Sequence, residues 1–377
     1  MENRKIKIVF VQNIFTPYRT YLYNTLFKKG LNLKVFYQSL SESDRNWNVD
    51  FNKIKHPFWI DKCGLYFRIF NYHLHINPVM FFRLLILPKE CEIQLPGWDD
   101  GITIFMCILK KLGIVHHRLS ITCEANYLKK NGKKSNRGLK AAIKRFVIAM
   151  IDGYVIIPGR MAIESIKHYG GDVDKLHFLN LPNIIEDDTI NEINYPQHID
   201  VPVFITPARL VENLKGIKNF FTAIGLDNIR KCKFLIAGDG EDYGIYKKFI
   251  DEHDLSNNIE LLGFLTSEEM NEVYSKAHVM LLPSFYDPSP LTLVEATKVG
   301  LPILCSNHCG NHYECVESGI NGETFDPCDK VDIKDKFELM LSNIERWKTY
   351  SERSKELYKE RFSPDVVLNN VIAILNG

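Results

Sequence analysis

The chain has no apolar run long enough to cross a membrane. Its two nearest approaches, residues 78–88 and 146–158, are broken by Arg83 and Asp152. Net charge is almost absent: 47 basic side chains face 46 acidic ones, so bulk electrostatics offers nothing to a nucleic acid, and no nucleic-acid partner is expected. A cysteine framework is lacking too, because nine scattered cysteines define no disulfide pattern. The opening MENRKIKIVFVQNIF has Lys7 and Gln12 inside a short apolar alternation, too brief and too polar for an export signal. Reduced thiols and a cytoplasmic setting are the expectation. No regular dinucleotide loop is present either. Gly238, Gly240 and Gly244 are spaced G-x-G-x3-G, one residue too long for that fingerprint, which argues against a nicotinamide-dependent oxidoreductase.

What is present suits a globular α/β chain. At 377 residues it is too long for one ordinary core and suits two domains. Apolar strand patterns alternate with amphipathic helix patterns to the end, the mark of parallel sheets. We expect a first domain over residues 1–185, a polar connector over 186–200, and a second domain over 201–362. A last helix, 363–377, is expected to pack back on the first domain.

The most informative stretch is residues 280–300, MLLPSFYDPSPLTLVEATKVG. The apolar run ending at Pro283 predicts a buried strand, and a polar loop follows. A helix is expected to open at Pro290 with Ser289 as its cap, and to end at Gly300. Strand, loop and helix start direct unpaired amides and a positive dipole end at one spot, which suits an anion. With Pro288 and Pro290 offering no N–H, the donors are the amides of Ser289, Leu291 and Thr292. Two carboxylates flank the spot, Asp287 in the loop and Glu295 in the helix, and carboxylates so placed accept sugar hydroxyls. A turn residue and a solvated helix residue explain the same pair.

The pattern Pro283-Ser284-x2-Asp287-x7-Glu295-Ala296-x3-Gly300-x-Pro302 resembles the carboxylate signature of retaining glycosyltransferases of the two-domain GT-B architecture, the family numbered four. That family normally has Glu followed by Gly-Phe where this chain has Asp287-Pro288-Ser289. The resemblance extends to Arg209-Leu210-x4-Lys215-Gly216, to Gly238-Asp239-Gly240 and to Thr16-Pro17-Tyr18-Arg19. It implies two Rossmann-like domains around a cleft and a nucleotide diphosphate sugar as donor. It also implies retention of anomeric configuration, with no cofactor and no obligatory metal.

Residue by residue, the resemblance assigns catalysis to Asp287, Arg209 and Lys215. The basic pair would neutralise a diphosphate, Arg as a planar fork and Lys as a point charge. Glu295 would bind the ribose, while Gly240, Phe264, Leu265 and the amides of Ser289, Leu291 and Thr292 complete the donor side. On the acceptor side stand Tyr18, Arg19, Asp99 (in the turn Pro-Gly-Trp-Asp-Asp-Gly) and Glu124. The resemblance implies a glycan or a polyprenyl-pyrophosphate-linked sugar as acceptor, in the setting of bacterial O-antigen or capsule assembly.

Two further features compete for attention. Residues 129–145 hold eight basic side chains and no acid, with Leu139, Ile143 and Phe146 at helical spacing. A solvated helix face explains this, and so does peripheral contact with an anionic membrane. Cys305, His308, Cys309, His312 and Cys315 fall within eleven positions, a spacing that raises zinc. Cys305, however, lies in an apolar strand pattern, and no metal site is expected. The rival to an enzyme is a noncatalytic member of the same fold that binds a glycan or nucleotide without transfer.

Overall fold

The computed structural model of the chain describes residues 7–42, 50–69, 72–128, 138–186 and 190–376. Two parallel sheets organise it. In the first, strands lie in the order Phe58–Ile60, Leu33–Tyr37, Ile8–Gln12, Glu92–Leu95, Leu119–Thr122, Tyr154–Ile157, His177–Asn180. In the second the order is Ile259–Gly263, Lys233–Ala237, Val203–Pro207, Val279–Leu282, Ile303–Ser306, Gly322–Phe325.

Each sheet therefore grows outward from its first strand and then reverses. The reversal in the second falls between Val203–Pro207 and Val279–Leu282, which pair through Phe204 with Val279 and Ile205 with Met280. In the first it falls between Ile8–Gln12 and Glu92–Leu95. Loops leaving the carboxyl ends of such strand pairs diverge to opposite faces and open a crevice. The fold alone thus nominates residues 208–216 with 283–290, and residues 13–16 with 96–100.

Local chemistry explains the element ends. Thr16 caps the helix Pro17–Lys28, whose first residue is proline. Asp100 caps Gly101–Lys111 through the amides of Ile102 and Thr103. A reciprocal Thr266–Glu269 box starts Ser267–Lys276. The central strands are buried on both faces, as sheets covered by helices require; Val279–Leu282 and Ile303–Ser306 are buried at every position.

The terminal helix Pro364–Asn376 sends Val367, Leu368, Val371 and Leu375 into the apolar cluster that holds Ile8, Phe10 and Tyr23 of the first sheet's layer. The stretch read as a polar connector is instead pinned to the second layer. Ile190 and Ile193 are buried there, and the Tyr195 hydroxyl donates to the His278 carbonyl at 2.7 Å.

Among the described residues of 41–77, a stretch with no clean period in the sequence, strands are present. Phe58–Ile60 adds a parallel edge strand beside Leu33–Tyr37, and Leu65–Ile69 pairs antiparallel with Tyr72–Ile76. Interspersed charges and histidines mask the alternation of Leu65, Phe67 and Ile69 in the sequence.

Candidate functional site

At the second sheet's reversal, the loop after Val203–Pro207 carries Arg209 and then a single helical turn, Glu212–Lys215. Glu212 holds this loop in shape. Its carboxylate accepts from the amides of Lys218 and Asn219 at 2.9 and 3.0 Å and from the Tyr246 hydroxyl at 2.9 Å. Gly216 ends the turn in the left-handed region, φ +60°, and a Cβ there would sit 2.8 Å from the Pro283 carbonyl. The two loops consequently lie backbone against backbone. Behind them, Gly238 and Gly240 allow the neighbouring chain equally close: a Cβ at 238 would meet the Ala208 carbonyl at 2.0 Å.

This packing places Lys215 Nζ 2.5 Å from Asp287 Oδ2, both side chains largely buried. Two of the three residues assigned to catalysis are thus in direct contact. Arg209 is exposed on the same loop. The helix Leu291–Val299 begins beside them, but Ser289 does not cap it. Pro290 occupies the cap position with no side-chain capping bond, while the Ser289 hydroxyl accepts from Asn183 at 3.2 Å. The amides of Leu291 and Thr292 find no acceptor among the described residues. The expected cap was wrong in a way that leaves the helix start more open to an anion.

Glu295 lies one turn further on and accepts from the Tyr274 hydroxyl at 2.7 Å. Burial raises its pKa above the ordinary glutamate range, offset in part by that hydrogen bond and by Lys298. At the end of Ile259–Gly263, Phe264 presents a ring that is 74% exposed, and Leu265 turns toward the apolar layer.

The first sheet's crevice continues into this site. A cavity of about 960 Å³ is lined by Tyr18, Arg19, Trp98, Asp99 and Glu124 from the first half of the chain, and by Leu214 and Tyr286 from the second. The Arg19 guanidinium is paired with the Glu124 carboxylate, so these two residues form one unit. Asp99 is exposed at the rim, whereas Asp100 is consumed as a helix cap and hydrogen-bonds Gln38. Tyr286 joins the two regions. Its hydroxyl is pushed up to about 12 by burial and then by the carboxylates of Asp99 and Asp287.

Sequence reasoning missed Tyr286, Lys140 and Lys144. Lys140 and Lys144 line the cavity, and Lys144 Nζ lies 4.4 Å from the Trp98 ring centre and 4.5 Å from that of Tyr169. The basic stretch is therefore not one outward-facing surface. Residues 129–137, which carry five of its eight charges, fall outside the described residues. Also missed was Asn126, whose amide donates to the His308 carbonyl at 2.6 Å across the cleft.

The five-residue cysteine–histidine set does not converge on a metal site among the described residues. Burial pushes the Cys309 and Cys315 thiols well above their ordinary range, and His312 Nδ1 is engaged by the Cys309 carbonyl at 2.6 Å. The chain's one Asp-x-Asp triplet, Asp172-Val173-Asp174, sits in a short 3-10 turn where Asp172 pairs with Lys175 at 2.8 Å.

Residues 191–357 match the family described as glycosyl transferases group 1. This match, over less than half of the chain, includes Arg209, Lys215, Asp287 and Glu295. Among curated relatives, the sucrose synthase of Nitrosomonas europaea is 25% identical over 55% of this chain and 29% of its own length. The alpha-D-kanosaminyltransferase of Streptomyces kanamyceticus is 24% identical over 44% of this chain and 42% of its own. The matches thus span less than half of either relative. Among solved structures, sucrose-phosphate synthase from Thermosynechococcus elongatus aligns over 98% of both chains, with a TM-score of 0.72 and 14% identity. HepE from Anabaena, solved with UDP-glucose, covers 98% of this chain and 99% of its own, with a TM-score of 0.68 and 14% identity. The described residues thus have the GT-B fold, two Rossmann-like parallel sheets.

Proposed function

We propose that the chain is a retaining glycosyltransferase that moves a sugar from a nucleotide diphosphate sugar to a glycan or a polyprenyl-pyrophosphate-linked acceptor. The observation that carries this reading is the Lys215–Asp287 contact beside an uncapped helix start, at the reversal of the second sheet. A diphosphate seated there meets the Lys215 ammonium, Arg209 and the amides of Ser289, Leu291 and Thr292. Charge that builds on the leaving diphosphate is met by groups already in place, the electrostatic contribution that dominates such reactions. Asp287 holds the transferred sugar. Glu295 accepts from the ribose, and a base stacks at Phe264 beside Gly240 and Leu265. The solved relative HepE, crystallised with UDP and with UDP-glucose, supports a donor of this class.

The acceptor enters through the cavity of the first half. Tyr18, Asp99 and the Arg19–Glu124 pair line it, together with Lys140 and Lys144. Such an acceptor fits bacterial surface-polysaccharide assembly on the inner face of a membrane, with residues 129–145 near the lipid. In this reading residues 1–185 form the acceptor domain and 201–362 the donor domain.

A panel of nucleotide diphosphate sugars should contain one that raises the melting temperature and is consumed with acceptor. Tight binding of that sugar nucleotide with neither transfer nor slow hydrolysis would favour the noncatalytic rival. Glu295→Gln should raise the donor KM about 10- to 100-fold, the size of a lost hydrogen bond to a charged group. In the unmodified chain KM should fall as pH rises through the raised Glu295 pKa, because only the carboxylate accepts two hydroxyl hydrogens. The stability sign is opposite. A carboxyl with a raised folded pKa loses stability as pH rises, so the variant should be at least as stable at neutral pH. A variant with normal KM and a flattened melting temperature would assign Glu295 to packing.

No metal takes part in the proposed chemistry. EDTA should leave turnover unchanged, and a complete loss restored by a divalent cation would contradict the scheme.

A further inference from the structure

One group of metal-ligating side chains lies outside the proposed chemistry. His308 follows the strand Ile303–Ser306, and Asp326 and Cys328 follow the adjacent edge strand Gly322–Phe325. One ligand atom from each of the three falls within 4.8 Å of the others. His308 is 3% exposed, and its Nδ1 faces the Phe285 carbonyl at 3.0 Å. A carbonyl only accepts, so Nδ1 donates to it and leaves Nε2 facing Asp326 Oδ1, 3.9 Å away. Among the described residues no lysine or arginine pairs with Asp326. The Asp326 carboxylate is fixed in turn by the Cys328 amide, which donates to Oδ1 at 2.8 Å.

An imidazole nitrogen, a carboxylate oxygen and a sulfur thus meet in one place. We infer that His308, Asp326 and Cys328 form a binding site for a divalent cation of the zinc type. The donor set decides the class. Imidazole and thiolate select zinc or cobalt over magnesium and calcium, and three protein ligands leave a fourth position to water. The bond from His308 Nδ1 to a carbonyl is the outer contact that orients metal-ligating histidines. Binding would release the Cys328 proton to solvent as the metal–sulfur bond forms. The ion would tie the turn after Ile303–Ser306 to the edge strand. It would also brace Phe285, two residues before Asp287, without touching substrate.

The test uses the full chain, stripped with EDTA and titrated with Co(II). One equivalent should bind with a near-ultraviolet sulfur-to-cobalt charge-transfer band, and Zn(II) should displace it. Cys328→Ser, at an exposed position, should abolish the band while leaving circular dichroism unchanged. His308→Ala should weaken cobalt binding at least about tenfold. Cys63→Ser, the other exposed thiol, should change nothing. A folded chain with no thiolate band would overturn the site, leaving His308 and Asp326 as an ordinary ion pair. So would a band that survives Cys328→Ser. Glycosyl transfer is not the readout, so this result and the proposed activity stand or fall separately.

Discussion

Lys215→Ala should lower turnover by about two to three orders of magnitude, the loss seen when one preorganised donor to a developing charge is removed. Arg209→Ala should fall in the same range. Both residues would act mainly on kcat, because the charge they meet is greatest as the diphosphate leaves. The Lys215 variant carries a complication that the structure makes explicit: its ammonium is also the partner of the largely buried Asp287. Removing it leaves a carboxylate unpaired, which itself costs stability. The double variant Lys215→Ala/Asp287→Ala isolates the stability effect: it should regain the melting temperature that Lys215→Ala loses through the orphaned carboxylate. Its turnover should stay low, because both the cation beside the leaving group and the carboxylate that holds the sugar are missing. Near-normal turnover in both single variants, with the fold intact, would remove the diphosphate assignment.

Gly310→Ala should be nearly as damaging, through geometry alone. The Gly310 amide donates to the Asp287 carbonyl at 2.8 Å, and Asp287 and Cys309 form a parallel bridge. A Cβ at position 310 would lie 1.9 Å from the Pro288 carbonyl oxygen. Backbone rather than a flexible side chain stands in the way, so the loop carrying Asp287 has to move. Overpacking of this kind costs about 1–3 kcal/mol of stability. A displacement near 1 Å at reacting groups can cost about a hundredfold in rate. The expected result is a lowered melting temperature together with a loss of about two orders of magnitude in kcat. Turnover within a factor of three of the parent would show that the loop's position does not matter.

Much of this arrangement could be read before any coordinates, and the reasons are local. Runs such as Val279–Leu282 are apolar throughout and end at proline, which leaves little choice but a buried strand. The spacing of Arg209, Lys215, Asp287 and Glu295 relative to strand ends then located the second crevice. The sequence could not show that Lys215 and Asp287, 72 positions apart, meet at hydrogen-bond distance. Only the reversal of strand order brings those loops together. Arg19 and Glu124, 105 positions apart, were nominated separately and proved to be one ion pair for the same reason. Ser289 was misread as a cap because Ser before Pro at a helix start is a strong local signal. A tertiary partner, Asn183, claims its hydroxyl instead. Tyr286 and Lys144 escaped notice because nothing about a lone tyrosine or one lysine in a basic run marks a cavity wall. The hairpin over residues 65–76 was hidden by its charges and histidines.

The most direct test is a crystal structure of the chain with the sugar nucleotide that stabilises it best. The diphosphate should lie between Arg209 and Lys215 on one side and the amides of Ser289, Leu291 and Thr292 on the other, with Glu295 on the ribose. A nucleotide bound anywhere else, with Lys215 still closed on Asp287 and Glu295 still engaged by Tyr274 alone, would contradict the account.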